Sequence, residues 1–198
     1  MFDLQRTFHL GMAVDDIEAA RKQLGADMNL SWTATWLMDP LPFWTPEAGE
    51  HEIILKACYS RPGPHHLELV ESASPFYAPA AQPDSRHIGV WVDDLPAECE
   101  RLLSAGWRVL ASGASPENGF GTLSYLLPPG GGWLVELVSA ELMPVIDAWL
   151  QAHHEAYASL DAPRWLAAAP APRRAARARA AAAARAAAAR RAAPPPRH

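Results

Sequence analysis

Cysteine is scarce in this chain. Cys58 and Cys99 are the only two in 198 residues, and they form no C-x-x-C or similar cluster. A thiolate metal site and a dense disulfide framework are therefore excluded. Long apolar runs are missing too. No stretch approaches the ~18 consecutive apolar residues of a membrane span. Residues 1–10 show no basic start leading into a long apolar segment. No signal peptide is expected, and a reducing cytoplasm is the expected location. Basic residues are few except at the C-terminal end. Residues 171–198 hold eight Arg and no Asp or Glu, which leaves nine basic against 22 acidic side chains in the rest of the chain. So acidic a body is poorly suited to nucleic acid, and no membrane partner is expected either.

What the chain does have is apolar mass, 49% of its residues, including eight Trp and five Phe. That suffices for one domain with a sizeable core but not for two ordinary ones. It also has an internal repeat. Residues 9–19 read His-Leu-Gly-Met-Ala-Val-Asp-Asp-Ile-Glu-Ala, and residues 87–97 read His-Ile-Gly-Val-Trp-Val-Asp-Asp-Leu-Pro-Ala. Six of the eleven positions are identical, and two more exchange Leu and Ile. A second echo pairs Leu67-Glu68-Leu69-Val70 with Val135-Glu136-Leu137-Val138. Each half opens on a His-bearing segment and closes on a Glu-bearing one. The offset of 78 residues is far beyond a solenoid period and suits a duplicated half-domain.

Secondary structure follows the duplication. The apolar stretches 8–14 and 86–92 stop at Asp-Asp and read as strands. Asp15 or Asp16, and Asp93 or Asp94, suit a helix N-cap, where a short carboxylate accepts first-turn amide hydrogens. Helices are predicted over 17–24 and 96–105. Pro96 fits a first turn, and Gly25 and Gly106 stand where left-handed stops belong. Further strands are predicted over 28–37, 52–57 and 66–70, then over 108–111, 122–127 and 133–138. Pro62-Gly63-Pro64 and the Pro- and Gly-rich stretch 128–132 supply turns. The order is βαβββ twice, an α+β fold, with the Trp- and Pro-rich stretch 32–50 as an irregular insertion. Residues 143–160 predict a C-terminal helix with Val145, Ile146, Trp149 and Leu150 at helical spacing. Residues 167–198 are only Ala, Arg and Pro before the terminal His, and read as a solvated tail.

His9 and His87 occupy equivalent strand starts, and Glu68 and Glu136 sit inside equivalent apolar strands. A buried carboxylate is very costly unless paired, protonated or bound to metal. Twice over, at equivalent places, that cost asks for one shared explanation. Two imidazoles and two carboxylates around one divalent cation supply it, a set suited to Zn, Ni, Co, Mn or Fe.

The segments 9–16, 67–71, 87–94 and 135–138 resemble the signatures of the vicinal oxygen chelate superfamily, which includes glyoxalase I, methylmalonyl-CoA epimerase, extradiol dioxygenases and bleomycin-resistance proteins. The pattern is most similar to the epimerase and glyoxalase I. The resemblance covers about residues 5–140. It implies two fused βαβββ modules (about 5–75 and 84–140) in a domain over 1–142, closing into a barrel-like sheet around a metal held by His9, Glu68, His87 and Glu136. A C-terminal helix (143–162) and a disordered low-complexity tail (163–198) would follow.

The implied activity is that of a metal-dependent isomerase or lyase, which abstracts a proton next to a carbonyl or thioester oxygen held by the metal. Glu136 matches the position of the base. Glu52 is the nearest match to a second glutamate that the epimerase carries. Two alternatives stand beside this reading: an Fe(II) extradiol-type dioxygenase in which Glu68 is not a ligand, and a non-catalytic binding protein for a small molecule. His66 shares strand parity with Glu68 and suits a rim contact, while His51, His65, His153 and His154 read as surface residues. Trp32, Trp36, Phe43 and Trp44 read either as core packing or as an apolar wall over the site, and in the second case the small-molecule substrate carries a hydrophobic or aromatic portion. Lys56 and Arg61 are the only first-half candidates for an anionic substrate group. A homodimer is expected from the family's habit of pairing half-barrels across subunits.

Overall fold

The computed structural model describes residues 3–79 and 86–152. The predicted C-terminal helix beyond residue 152, His153, His154 and the Ala/Arg/Pro tail lie outside the described residues.

Two βαβββ units are present, as the repeat predicts. The first comprises β1 (Thr7–Ala13), α1 (Ile17–Met28), a two-residue strand β2 (Ser31–Trp32), β3 (Trp36–Thr45), β4 (Gly49–Arg61) and β5 (His66–Glu71). The second comprises β6 (His87–Val92), α2 (Leu95–Ser104), β7 (Arg108–Ser112), β8 (Leu123–Leu127) and β9 (Leu134–Ser139). A third helix, α3 (Met143–Gln151), follows. The strands lie in the order β2-β4-β3-β7-β8-β9-β6-β1-β5, and β4 also pairs with β5. That last pairing closes eight strands into one ring within the chain, with β2 added at the Ser60–Arg61 end of β4. The modules meet twice. β1 and β6 run antiparallel side by side, and β3 touches β7 through one residue pair, Trp44 with Ser112.

The second Asp of each Asp-Asp is the cap. Asp16 accepts from the amides of Glu18 and Ala19, and Asp94 from that of Ala97. The first Asp of the second pair, Asp93, instead holds the Arg6 guanidinium at 2.8 Å. Gly106 has φ +89° and ends α2 as expected. Gly25 does not end α1. The helix continues to Met28 and stops at Asn29, whose φ of 54° is left-handed. Gly25 is instead a close-approach site, because a Cβ there would sit 3.1 Å from the Leu30 carbonyl and 3.2 Å from Trp32 Nε1.

The stretch expected to be irregular is mostly β3, and the predicted strand over 28–37 is broken: α1 ends at Met28, β2 takes Ser31–Trp32, and β3 begins only at Trp36. Pro40 falls where the β3–β4 register shifts, between Met38 and Leu41. The opposite edge of β3 makes only the single pairing to β7. Prolines there remove few ladder hydrogen bonds, so a strand survives them.

Alternation along each strand sorts residues between the ring's interior and its helix-covered outside. On the outside, α2 buries Leu95, Cys99 and Leu102 with Val90, Val135 and Leu137. The smaller α1 cluster is Ile17, Cys58 and Leu69. On the inside, α3 places Ile146 and Trp149, together with Leu142 just before it, in one cluster with Phe8, Tyr59 and Trp91. Trp149 Nε1 donates to the Ala34 carbonyl at 2.9 Å, and Arg61 Nη2 donates to the Ala152 carbonyl at 2.7 Å, which pins the end of α3. Among the described residues no helix is long and apolar enough to cross a membrane.

Candidate metal centre

The β1–β6 pairing sets His9 opposite Gly89 and His87 opposite Gly11. Each imidazole thus lies across a glycine of the other module. A Cβ on Gly11 would overlap the His87 ring, and a Cβ on Gly89 would overlap the His9 ring. The His-x-Gly of the repeat is one device: each half carries a ligand and the seat for the other half's ligand. The parallel neighbours β5 and β9 bring in the carboxylates, with Glu68 registered against Gly11 and Glu136 against Gly89.

The four predicted ligands converge. One donor atom from each of His9, Glu68, His87 and Glu136 lies within 4.8 Å of all the others, a group that could hold a metal ion. The two Nε2 atoms are 3.1 Å apart. Glu136 Oε2 is 3.0 Å from His9 Nε2 and 3.4 Å from His87 Nε2. Glu68 Oε2 is 3.5 Å from His9 Nε2 and 3.1 Å from His87 Nε2. Donors at ~2.0–2.2 Å from one ion stand about 3.0–3.4 Å apart when adjacent, so this spacing fits a shared divalent cation. The exposures are 0, 7, 1 and 4% in chain order. Several kcal/mol per buried ion must be offset at such a site, and lone pairs converging from four side chains require a proton or a cation between them.

Without metal, a proton takes that place. Burial would depress the His87 imidazole, but its hydrogen bonds to Glu136 and Glu68 and their charges lift it from 6.5 to about 10. Burial would likewise raise the Glu136 carboxyl, but hydrogen bonds with His87 and His9 outweigh it and hold the group well below the ordinary carboxylate range. His9 Nδ1 is buried without a hydrogen-bond partner. Its ring is held by packing, edge-on to Phe8 at 4.3 Å between centroids.

The duplication extends to residues that the sequence reading passed over. Tyr59 is registered opposite Glu68 and Tyr125 opposite Glu136. Their rings stand 5.6 Å from His9 and 5.1 Å from His87. A third phenol, Tyr77, donates to the Tyr125 hydroxyl at 3.0 Å. Burial first, and then the nearby carboxylates, push all three phenols well above 10, so they stay neutral. Their sequence signal was present but weak: a Tyr two residues before the end of the strand that precedes each Glu-bearing strand, 9 residues before Glu68 and 11 before Glu136.

A pocket opens from the centre into the ring, and Glu68 and Glu136 form part of its wall. Of the four aromatics expected there, only Trp36 lines it. Phe43 is buried beside Tyr77, Trp32 packs towards α1, and Trp44 points to the α2 side. Glu52 is not brought to the centre. It is exposed on β4, one residue out of phase with Ile53, Leu55, Ala57 and Tyr59, which face inward. His66 is half-buried, with Nδ1 2.7 Å from the Ser60 carbonyl. His51 Nδ1 stands 2.9 Å from the Gly49 carbonyl, and the exposed His65 reaches the Thr7 carbonyl. Lys56 is engaged by Glu71 at 2.6 Å.

A ring of two βαβββ modules with two imidazoles and two carboxylates gathered at its centre defines a class of duplicated, metal-site proteins. The chain matches the model of the Glyoxalase/Bleomycin resistance protein/Dioxygenase superfamily over residues 8–124, more than half its length, and it belongs to that superfamily. No curated protein matches it. Among solved structures, methylmalonyl-CoA epimerase from Mycobacterium tuberculosis is 21% identical, with 70% of this chain and 91% of that one covered at a TM-score of 0.45. The Streptomyces coelicolor methylmalonyl-CoA epimerase is 21% identical, with 68% and 93% covered at 0.46. A hypothetical protein from Bacillus halodurans is 19% identical, with 67% and 92% covered at 0.45. Likenesses this distant carry no substrate or reaction over to this chain.

Proposed function

We propose that the protein is a divalent-metal-dependent isomerase or lyase that removes a proton from a carbon next to a carbonyl or thioester group. His9, Glu68, His87 and Glu136 would hold the ion, of which Zn, Ni, Co, Mn and Fe suit the donor set. The observation that supports this reading best is that Glu68 and Glu136 belong both to the donor cluster and to the wall of the pocket. When bound, a divalent ion supplies Lewis-acid stabilisation of the negative charge that develops on the substrate oxygen.

The chain's own groups do the rest. Glu136 faces the pocket and takes the proton, a role worth about 10²–10⁴-fold for a positioned base. The same carboxyl returns it to the other face or to a neighbouring atom. The neutral phenols of Tyr59 and Tyr125 flank the two carboxylates and can donate to charge on the substrate. The walls keep water from the exchanging proton. Glu52, exposed on the other face of β4, is given no part. The place of Glu68 among the donors favours this reading over a ring-cleaving dioxygenase that leaves it unliganded. All four donors come from one chain, so a homodimer would not be needed to complete the site.

The test is elemental analysis followed by proton exchange. The full chain should carry about one metal ion, and His87→Ala should carry none. NMR in D2O should then show α-proton exchange in some member of a panel of α-hydroxy ketones and acyl thioesters, reduced roughly 10²–10⁴-fold in Glu136→Gln at saturating metal. No uptake of any of the five metals, or undiminished exchange by the variant, would overturn the reading.

A further inference from the structure

The pocket next to the donor cluster has an uneven chemistry. Its wall is mostly hydrocarbon and aromatic ring, contributed by Trp36, Met38, Leu41, Leu55, Leu123 and Trp149 among others. Its ionisable groups are Glu68, Glu136 and the three phenols, and among the described residues no Lys or Arg lines it. The two cations that the sequence offered for an anionic substrate are committed elsewhere. Lys56 is paired with Glu71, and Arg61 holds the end of α3. Away from the donor cluster, a phosphate or carboxylate in this pocket would lose its hydration with no Lys or Arg among the described residues to replace it. An apolar body gains instead, by about 25 cal/mol for each Å² it removes from water.

The roof of the pocket is α3, which comes after the duplicated modules in the chain. Trp149 stands edge-on to Trp36 at 5.0 Å and to Tyr59 at 4.9 Å between ring centroids. With its indole N–H tied to Ala34, the ring edge left for the pocket is hydrocarbon. Leu142 and Ile146 extend the same surface.

From this geometry we infer that the substrate seats an uncharged carbonyl portion with an apolar or aromatic body under Trp149 of α3, with no anionic group inside the pocket. The inference rests on the metal-site reading above and narrows it to a substrate class.

Three hydroxamates, which share one metal-binding head, test it in the full chain loaded with Co(II). Benzohydroxamate carries an uncharged ring, acetohydroxamate only a methyl group, and 4-carboxybenzohydroxamate the ring with an added anion. Affinities are read from the visible Co(II) bands. Benzohydroxamate should bind at least ~10-fold more tightly than either of the others, the equivalent of about 1.4 kcal/mol. Trp149→Ala should bring benzohydroxamate down to the affinity of acetohydroxamate at unchanged metal content, and Trp149→Phe should restore most of the preference. Equal affinities, tighter binding of the carboxylated ring, or a preference that survives Trp149→Ala in a folded, metal-loaded protein would overturn the inference and leave the metal-site reading standing. Failure to load Co(II) or any of the other metals would overturn both.

Discussion

Helix α2 buries Leu95, Glu98, Cys99 and Leu102 against its half of the ring, whereas α1, two residues longer, buries only Ile17. The strands differ in the same direction. Every residue of β9 is buried, while its counterpart β5 is half-buried at both ends. The first module spends its extra residues on the long β3–β4 hairpin, which carries Trp36, Met38, Leu41, Leu55 and Tyr59 to the pocket. Both halves nevertheless present the same His, Gly, Glu and Tyr in the same register. Duplication has kept what the donor cluster needs in both copies. It has let one copy become the better-packed scaffold and the other the larger wall of the pocket.

The strongest way to probe the shared part is through its glycines. Gly11→Ala and Gly89→Ala should each push the opposite module's imidazole out of place, and each should weaken Zn binding by at least ~10–100-fold, measured by equilibrium dialysis. Similar losses would confirm that the halves are equivalent at the centre. A loss confined to one variant would break that equivalence. The divergent part is tested by unfolding. Leu102→Ala in α2 should cost about 2–5 kcal/mol in urea titrations, and Leu24→Ala on the half-buried face of α1 less than about 1.5 kcal/mol. A reversed ranking would overturn the assignment of scaffold and wall.

The smallest expected effect concerns a position where the halves use different chemistry. Glu71 accepts from the Ile17 amide at the start of α1 at 2.9 Å and from Lys56 at 2.6 Å. The second repeat has Ser139 there. The Lys56 ammonium, then the Ile17 amide, hold the Glu71 carboxyl below its ordinary 4.5. A depressed carboxyl contributes its stability in full above pH 4.5 and loses it as pH falls below that value. Glu71→Gln should therefore lower Tm by about 2–4 °C at pH 7, with the difference shrinking below pH 4.5. Ser139→Ala should show no such pH dependence.

The modules and the donor set were legible because duplication prints them twice. His9 and Glu68 gain meaning from His87 and Glu136, and period-2 alternation then places them inside the ring. The legible part stops where a feature occurs once or depends on tertiary pairing. β3 was hidden by Pro40 and Pro42, which suit a strand only because its far edge is nearly unpaired. Gly25 looked like a helix stop, since left-handed freedom and close approach to Trp32 leave the same letter. The phase of Glu52 could not be read without the register of β4. The roof contributed by α3 was invisible for a different reason: helical spacing shows an apolar face but not what that face covers.

The reciprocal seating of His9 on Gly89 and His87 on Gly11 has the form of an isologous contact, in which residue i meets j and j meets i. Between separate protomers such a contact dissolves on dilution. Written into one polypeptide, it makes the local concentration of each half for the other independent of how much protein is present. The donor cluster therefore keeps its four members at any dilution at which the chain stays folded.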